Sequence, residues 1–182
     1  MMPAMHGKRR LSPLAFYVSA LLVATLDQLS KAIVLAKMPL GEEGTIPLVP
    51  GIFHFTHVRN PGIAFSMLEG KIPIILIASA IVMLGIILTE RKAGGRLGFA
   101  YGIALSMPLG GALGNMIDRI RFGNVVDFID VRGIKFAIFN VADSAITVGI
   151  VSLLILSFLQ PTPLEQEAAR DTPGNDSPSG TV

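Results

Sequence analysis

The sequence predicts an all-α integral membrane protein: four transmembrane helices, with a small extracytoplasmic sheet between the first two. Hydrophobic residues make up 51% of the 182-residue chain and charged residues only 15%, against about 25% in a soluble domain, and mean hydropathy is +0.62. Four segments are apolar over roughly the 20 residues that a helix needs to cross hydrocarbon. A segment rich in strand formers separates the first two.

The first span begins at Leu11 and stays uncharged to Leu26, where Asp27 and Lys31 interrupt it before residues 32–36. A cleaved signal peptide is the alternative for this segment, since basic residues precede an apolar run. No small-x-small site follows, and three further spans already commit the chain to the membrane. The intervening segment Phe53–Val58 is strand-like, with turn residues Pro50, Gly51, Asn60, Pro61 and Gly62 on either side. It predicts an extracytoplasmic sheet, within about residues 40–70, lying on the membrane. The second span runs from Ile72 to Thr89, with Pro73 at the helix start where its missing N–H costs little. The third runs from Leu97 to Ile117, with Pro108 as a possible kink. The fourth runs from about Val141 to Gln160 and is ended by Pro161. Residues 1–10 form a polar N-terminal tail and 11–160 the membrane domain. Residues 161–182, rich in Pro, Gly, Ser and acids, are expected to be a disordered tail.

Positive charge orients the spans. Lys8, Arg9 and Arg10 precede the first, and Arg91, Lys92 and Arg96 crowd the link between the second and third. Both flanks are therefore expected in the cytoplasm, with both termini there. Residues 37–71 and 120–140 then face outward. Asp27, Lys31, Asn115, Asp118, Arg119, Asp127, Asn140 and Asp143 all gather at that outer face.

Several chemistries are excluded at once. Cysteine is absent, which removes disulfides, thiol catalysis and thiolate metal sites. A net charge of +2 does not suggest nucleic acid as a partner. His54 and His57, three apart on a strand, point to opposite sides and cannot share a metal, so a surface role is expected. Carboxylates at the edge of hydrocarbon are expensive and mark function. Asp127 interrupts the apolar run Val125–Ile129, and Asp143 sits at the mouth of the fourth span. Two such groups close together cannot both ionise easily, and a pair sharing one proton is the machinery of aspartic proteolysis.

The other polar residues each have a plain structural reading beside the functional one. Asp27 and Lys31 are i, i+4 and can pair locally. Asn140 and Asp143 are spaced as a helix cap. Gly110, Gly111 and Gly114 read as helix packing. Asn115 and Arg119, one turn apart, can grip a carbonyl or a phosphate, while Asp118 is expected to pair with an arginine such as Arg121. A hard-oxygen Mg²⁺ site built from Asp127, Asp143 and the asparagines remains the chemical rival.

Five motifs in order then resemble one family across Leu11–Gln160. They are Asp27-Gln28-Leu29-Ser30-Lys31; Thr56 with Asn60, Gly62, Ala64 and Phe65; Gly110-Gly111 with Gly114, Asn115, Asp118 and Arg119; Val126-Asp127-Phe128; and Phe139-Asn140 with Ala142 and Asp143. The chain is similar to the lipoprotein signal peptidases (signal peptidase II). That resemblance implies a four-helix aspartic endopeptidase with an extracytoplasmic β-cradle, in the bacterial inner membrane. Its expected substrate is a prolipoprotein in the membrane lipid, cut before the diacylglyceryl-modified cysteine. Asp127 and Asp143 take the catalytic positions, and Asp27, Lys31, Asn60, Asn115, Arg119 and Asn140 the pocket positions. No cofactor, metal or obligate protein partner is implied.

Overall fold

The computed structural model describes residues 10–62, 70–94, 97–134 and 136–159. Within these, four long helices form a bundle with a three-stranded sheet at one end. Ala64, Phe65 and the C-terminal tail fall outside the described residues.

Helix α1 (Pro13–Lys37) starts at Ser12, whose hydroxyl accepts the Ala15 N–H at 3.2 Å, with Pro13 at the first helical position. It continues unbroken through the expected interruption. Asp27 and Lys31 are both buried and lie 2.8 Å apart, so the pair is accommodated rather than ending the span. Helix α2 (Ile72–Ala93) stops at Gly94, whose φ of +54° closes the last turn on the Glu90 and Arg91 carbonyls. Helix α3 (Phe99–Phe122) runs through Pro108. Helix α4 (Val141–Phe158) opens on a reciprocal capping box: the Asn140 side chain accepts the Asp143 N–H, and Asp143 accepts the Asn140 N–H.

Three of these helices, α1, α2 and α4, are long and apolar enough to cross a membrane, with mean hydropathies of 1.6, 2.7 and 2.0. The sequence predicts a crossing at α3 too, but α3 is less apolar because of where it packs. It lies between α1 and α4, and its buried face is built of Gly102, Ser106, Gly110, Gly111 and Gly114. A Cβ on Gly111 would sit 2.5 Å from the Ala142 carbonyl, and one on Gly110 would strike the Ala20 carbonyl. Small residues here let three backbones approach closely.

The sheet is antiparallel in the order β1 (Ile46–Val49), β2 (Phe53–Asn60), β3 (Val125–Val131). It is therefore not confined to the segment between the first two spans. The third strand comes from the link between α3 and α4, where an apolar strand supplies the second edge that β2 needs. A register shift between Phe55 and Val58 then places Val58 opposite Asp127 and Asn60 opposite Val125. Both β2 histidines are buried, contrary to the surface role expected, and His57 Nδ1 lies 3.0 Å from the Met38 carbonyl. On the sheet, Arg132 bonds Glu42 and Asp130 at 2.8 Å each, while Thr56 donates to Asp130 at 2.7 Å. Burial raises the Asp130 carboxyl, but these bonds outweigh it and hold the group below its usual range. Val34 packs with Val126 and Phe128, and that cluster fixes the sheet to the end of α1.

Candidate active site

All eight residues singled out in the sequence come together where the sheet meets the helices. Asp27 and Lys31 come from α1, Asn60 from the end of β2, and Asn115 and Arg119 from α3. Asp127 is on β3, while Asn140 and Asp143 open α4. Asn60, Asn115, Arg119, Asp127 and Asp143 line one cavity of about 750 Å³. Its walls below them are apolar, with Ile75, Ala78 and Val82 on one side and Ile146 on the other.

Each carboxylate is held by asparagine amides. Asp127 accepts from Asn60 Nδ2 at 2.9 Å on one oxygen and from Asn140 Nδ2 at 2.7 Å on the other. Asp143 accepts from Asn115 Nδ2 at 2.7 Å and from the Asn140 backbone N–H at 3.3 Å. The amide directions are fixed by the opposite end of each side chain. Asn60 Oδ1 accepts the Gly62 N–H at 3.0 Å, Asn115 Oδ1 accepts Lys31 Nζ at 2.9 Å, and Asn140 Oδ1 accepts the Asp143 N–H at 3.0 Å. An oxygen already facing a donor leaves only the NH₂ for the carboxylate. Burial first, and the charge of Asp143 second, push the Asp127 carboxyl up to about 7.

Arg119 spans two carbonyls, donating from Nη2 to Gly62 at 2.7 Å and from Nη1 to Asn115 at 3.4 Å. Its guanidinium thus pins the Asn60–Gly62 turn against α3. One partner differs from the expectation. Asp118 pairs with Lys31 at 3.1 Å rather than with Arg121, and it accepts Gln28 Nε2 at 2.9 Å and the Val126 N–H at 3.0 Å. Helical spacing from Asn115 was the available signal, because i, i+3 places Asp118 on the same face. No group of three or more His, Asp or Glu side chains arranged to hold a metal occurs among the described residues.

A membrane bundle with a buried carboxylate, Asp127, and a half-buried one, Asp143, lining an apolar cavity is an architecture suited to a membrane-embedded hydrolase. The sequence profile of signal peptidase (SPase) II matches residues 19–159. The lipoprotein signal peptidase of Nostoc punctiforme is 46% identical over 154 residues, covering 85% of this chain and 95% of that one. That of Brevibacillus brevis is 43% identical over 144 residues, covering 79% and 95%. A bacterial membrane enzyme solved by the in meso method at 1.9 Å superposes with a TM-score of 0.74 at 33% identity, covering 86% of this chain and all of that one. A second, at 2.3 Å, gives 0.75 at 29% identity over 97% of this chain. The chain belongs to the signal peptidase II family, and it is a membrane peptidase.

Proposed function

We propose that this chain is an aspartic endopeptidase that removes the signal peptide from prolipoproteins, cutting before the diacylglyceryl-modified cysteine. The observation that carries the reading is the amide arrangement around Asp127 and Asp143. Every asparagine that reaches the two carboxylates presents N–H groups to them. A hard cation between the carboxylates would need oxygen lone pairs at those positions. The donors suit a pair holding one proton and one negative charge.

In the reaction the ionised aspartate takes a proton from water as the oxygen attacks the scissile carbonyl carbon. The protonated partner donates its proton to the carbonyl oxygen, giving a neutral tetrahedral intermediate. Collapse breaks the C–N bond, and the leaving amine takes the proton first gained from water. The other aspartate regains its proton from the intermediate's hydroxyl. Asn60, Asn115 and Asn140 hold the carboxylates in place. Asp27, Lys31 and Arg119 brace the segments that bear them. The apolar cavity walls fit a signal segment or acyl chains.

The domain is read as residues 11–160 with four crossings. Support for α3 as one of them comes from its two ends. Arg10 bridges Gly98 just before it, and β3 with the site lies just after it, so α3 runs the same length of the bundle as α1. With the basic flanks inside, both tails are cytoplasmic and the site faces outward.

The test uses purified full-length protein and a diacylglyceryl-modified precursor. Asp127→Asn and Asp143→Asn should each lower turnover by about 10²–10⁴-fold, the range for a lost general acid or base. Cleavage should persist in chelator. Near-normal cleavage by both variants overturns the aspartic reading, and loss in chelator with rescue by Mg²⁺ favours the metal rival.

A further inference from the structure

Lys31 is buried, and each of its three N–H bonds has an acceptor: Asp27 at 2.8 Å, Asn115 at 2.9 Å and Asp118 at 3.1 Å. What those acceptors hold in turn is the informative part. Asp27 accepts the backbone N–H of Ala142 at 2.9 Å, the residue immediately before Asp143. Asp118 accepts the backbone N–H of Val126 at 3.0 Å, the residue immediately before Asp127. Asn115 donates to Asp143 directly, and its oxygen also receives Asn140 Nδ2 at 3.1 Å, the amide that reaches Asp127. One ammonium therefore sits at the centre of two matching tethers, each ending one residue short of an aspartate.

We propose that Lys31 and Asp118 are positioning residues: the ammonium, gripping Asp27 and Asp118, sets how far apart Asp127 and Asp143 stand. This rests on the reading of those two residues as the catalytic pair. The N–H groups of Ala142 and Val126 are held by carboxylates on two different helices, α1 and α3. The two carboxylates on one cation convert them into a single frame. Gln28 completes it, since its amide also donates to Asp118 and to the Gly114 carbonyl at 3.1 Å. Gly114 has no side chain because a Cβ there would strike the Asp27 carboxylate.

The pair's ionisation depends on this spacing. Asp27 and Lys31 face it from α1, Asp118 and Arg119 from α3, and β2 contributes only the neutral amide of Asn60. Widening the gap weakens the repulsion between the two carboxylates, and so narrows the interval between their two ionisations.

The experiment measures kcat, KM and the pH–rate profile of full-length Asp118→Asn in vesicles on a diacylglyceryl-modified precursor, normalised to folded protein by thermal unfolding. Asparagine can keep its oxygen on Val126 and Lys31 only by turning an NH₂ towards Gln28, and it removes one of the two carboxylate charges that grip the ammonium. We expect kcat to fall about 10²-fold, the cost of roughly 1 Å of misplacement, with KM little changed. The limbs of the profile should move together. Lys31→Met strands two buried carboxylates and is the variant most exposed to misfolding. Asp27→Asn/Lys31→Met/Asp118→Asn removes all three charges while keeping acceptors for Ala142 and Val126, and should show the same loss. A purely structural role lowers the amplitude of the profile without moving its limbs, and that result, or an unchanged kcat, overturns the proposal. If Asp127→Asn and Asp143→Asn retain cleavage, the catalytic reading itself fails, whatever Asp118 does.

Discussion

Asp127 is surrounded by groups that pull its proton affinity in opposite directions. Burial raises it most, the neighbouring Asp143 charge raises it further, and the amides of Asn60 and Asn140 lower it. The balance leaves the carboxyl at about 7, so below that pH the pair holds its proton and above it the proton leaves. The sign for stability follows. The folded state binds this proton more tightly than the unfolded chain does, so Asp127 costs increasing stability as pH climbs from the ordinary carboxylate range towards 7. Removing the like charge should reverse part of the shift. In Asp143→Asn, the carboxylic acid band of Asp127 followed by infrared titration should disappear at lower pH than in the parent protein. It should still lie above the ordinary carboxylate value, because burial remains. A midpoint unchanged or raised in that variant would show that the two residues do not sense each other.

At the level of elements, the polar residues that matter are delivered by close helix packing. The face of α3 that meets α1 and α4 carries glycines at its closest approaches, and α4 answers with its own glycine. A Cβ on Gly149 would lie 2.6 Å from the rigid Pro108 ring and 2.7 Å from the Ala104 carbonyl. Gly149→Val should therefore push α3 and α4 apart and destabilise by about 1–3 kcal/mol, the usual cost of overpacking. Thermal unfolding of the purified variant measures this, and an unshifted midpoint would mean the contact is slack. The local features of these elements were readable in the sequence. The starts of α2 and α4 fall at Ile72 and Val141, as flanking Pro73 and the Asn140–Asp143 spacing indicated. Long-range pairing was not readable. β3 joins β2 from some 65 positions away, and nothing in the period of either strand encodes that partner. Spacing reveals only local pairing, such as Asp118 with a nearby arginine, whereas its cation lies on α1. Strand alternation alone cannot register the β-bulge between Phe55 and Val58 or the Met38 carbonyl that meets His57.

Over the whole molecule, the two ends of the bundle differ in chemistry. At one end the Leu11 N–H bonds the Leu97 carbonyl at 3.1 Å, which brings the N-terminal residues beside the α2–α3 link and its exposed Arg91 and Lys92. At the other end the sheet, the carboxylates and Lys31 are gathered. In the topology proposed above, the basic flanks put the first end on the cytoplasmic side. The absence of cysteine gives a clean test, because any single introduced thiol is the only one in the chain. Glu43→Cys, on the exposed turn before β1, should react with a membrane-impermeant maleimide in intact spheroplasts. Lys92→Cys, exposed at the end of α2, should react only after the membrane is opened. The pair tests α2 as a crossing, since α2 is the helix between residue 43 and residue 92 and an odd number of crossings is required to put them on opposite sides. A third thiol at the exposed Ile134 should label like Glu43 if α3 crosses as well. If Ile134→Cys instead labels only with Lys92→Cys, α3 does not span. That outcome would put β2 and β3 on opposite sides of the bilayer, against their hydrogen-bonded register, and would overturn the four-crossing reading.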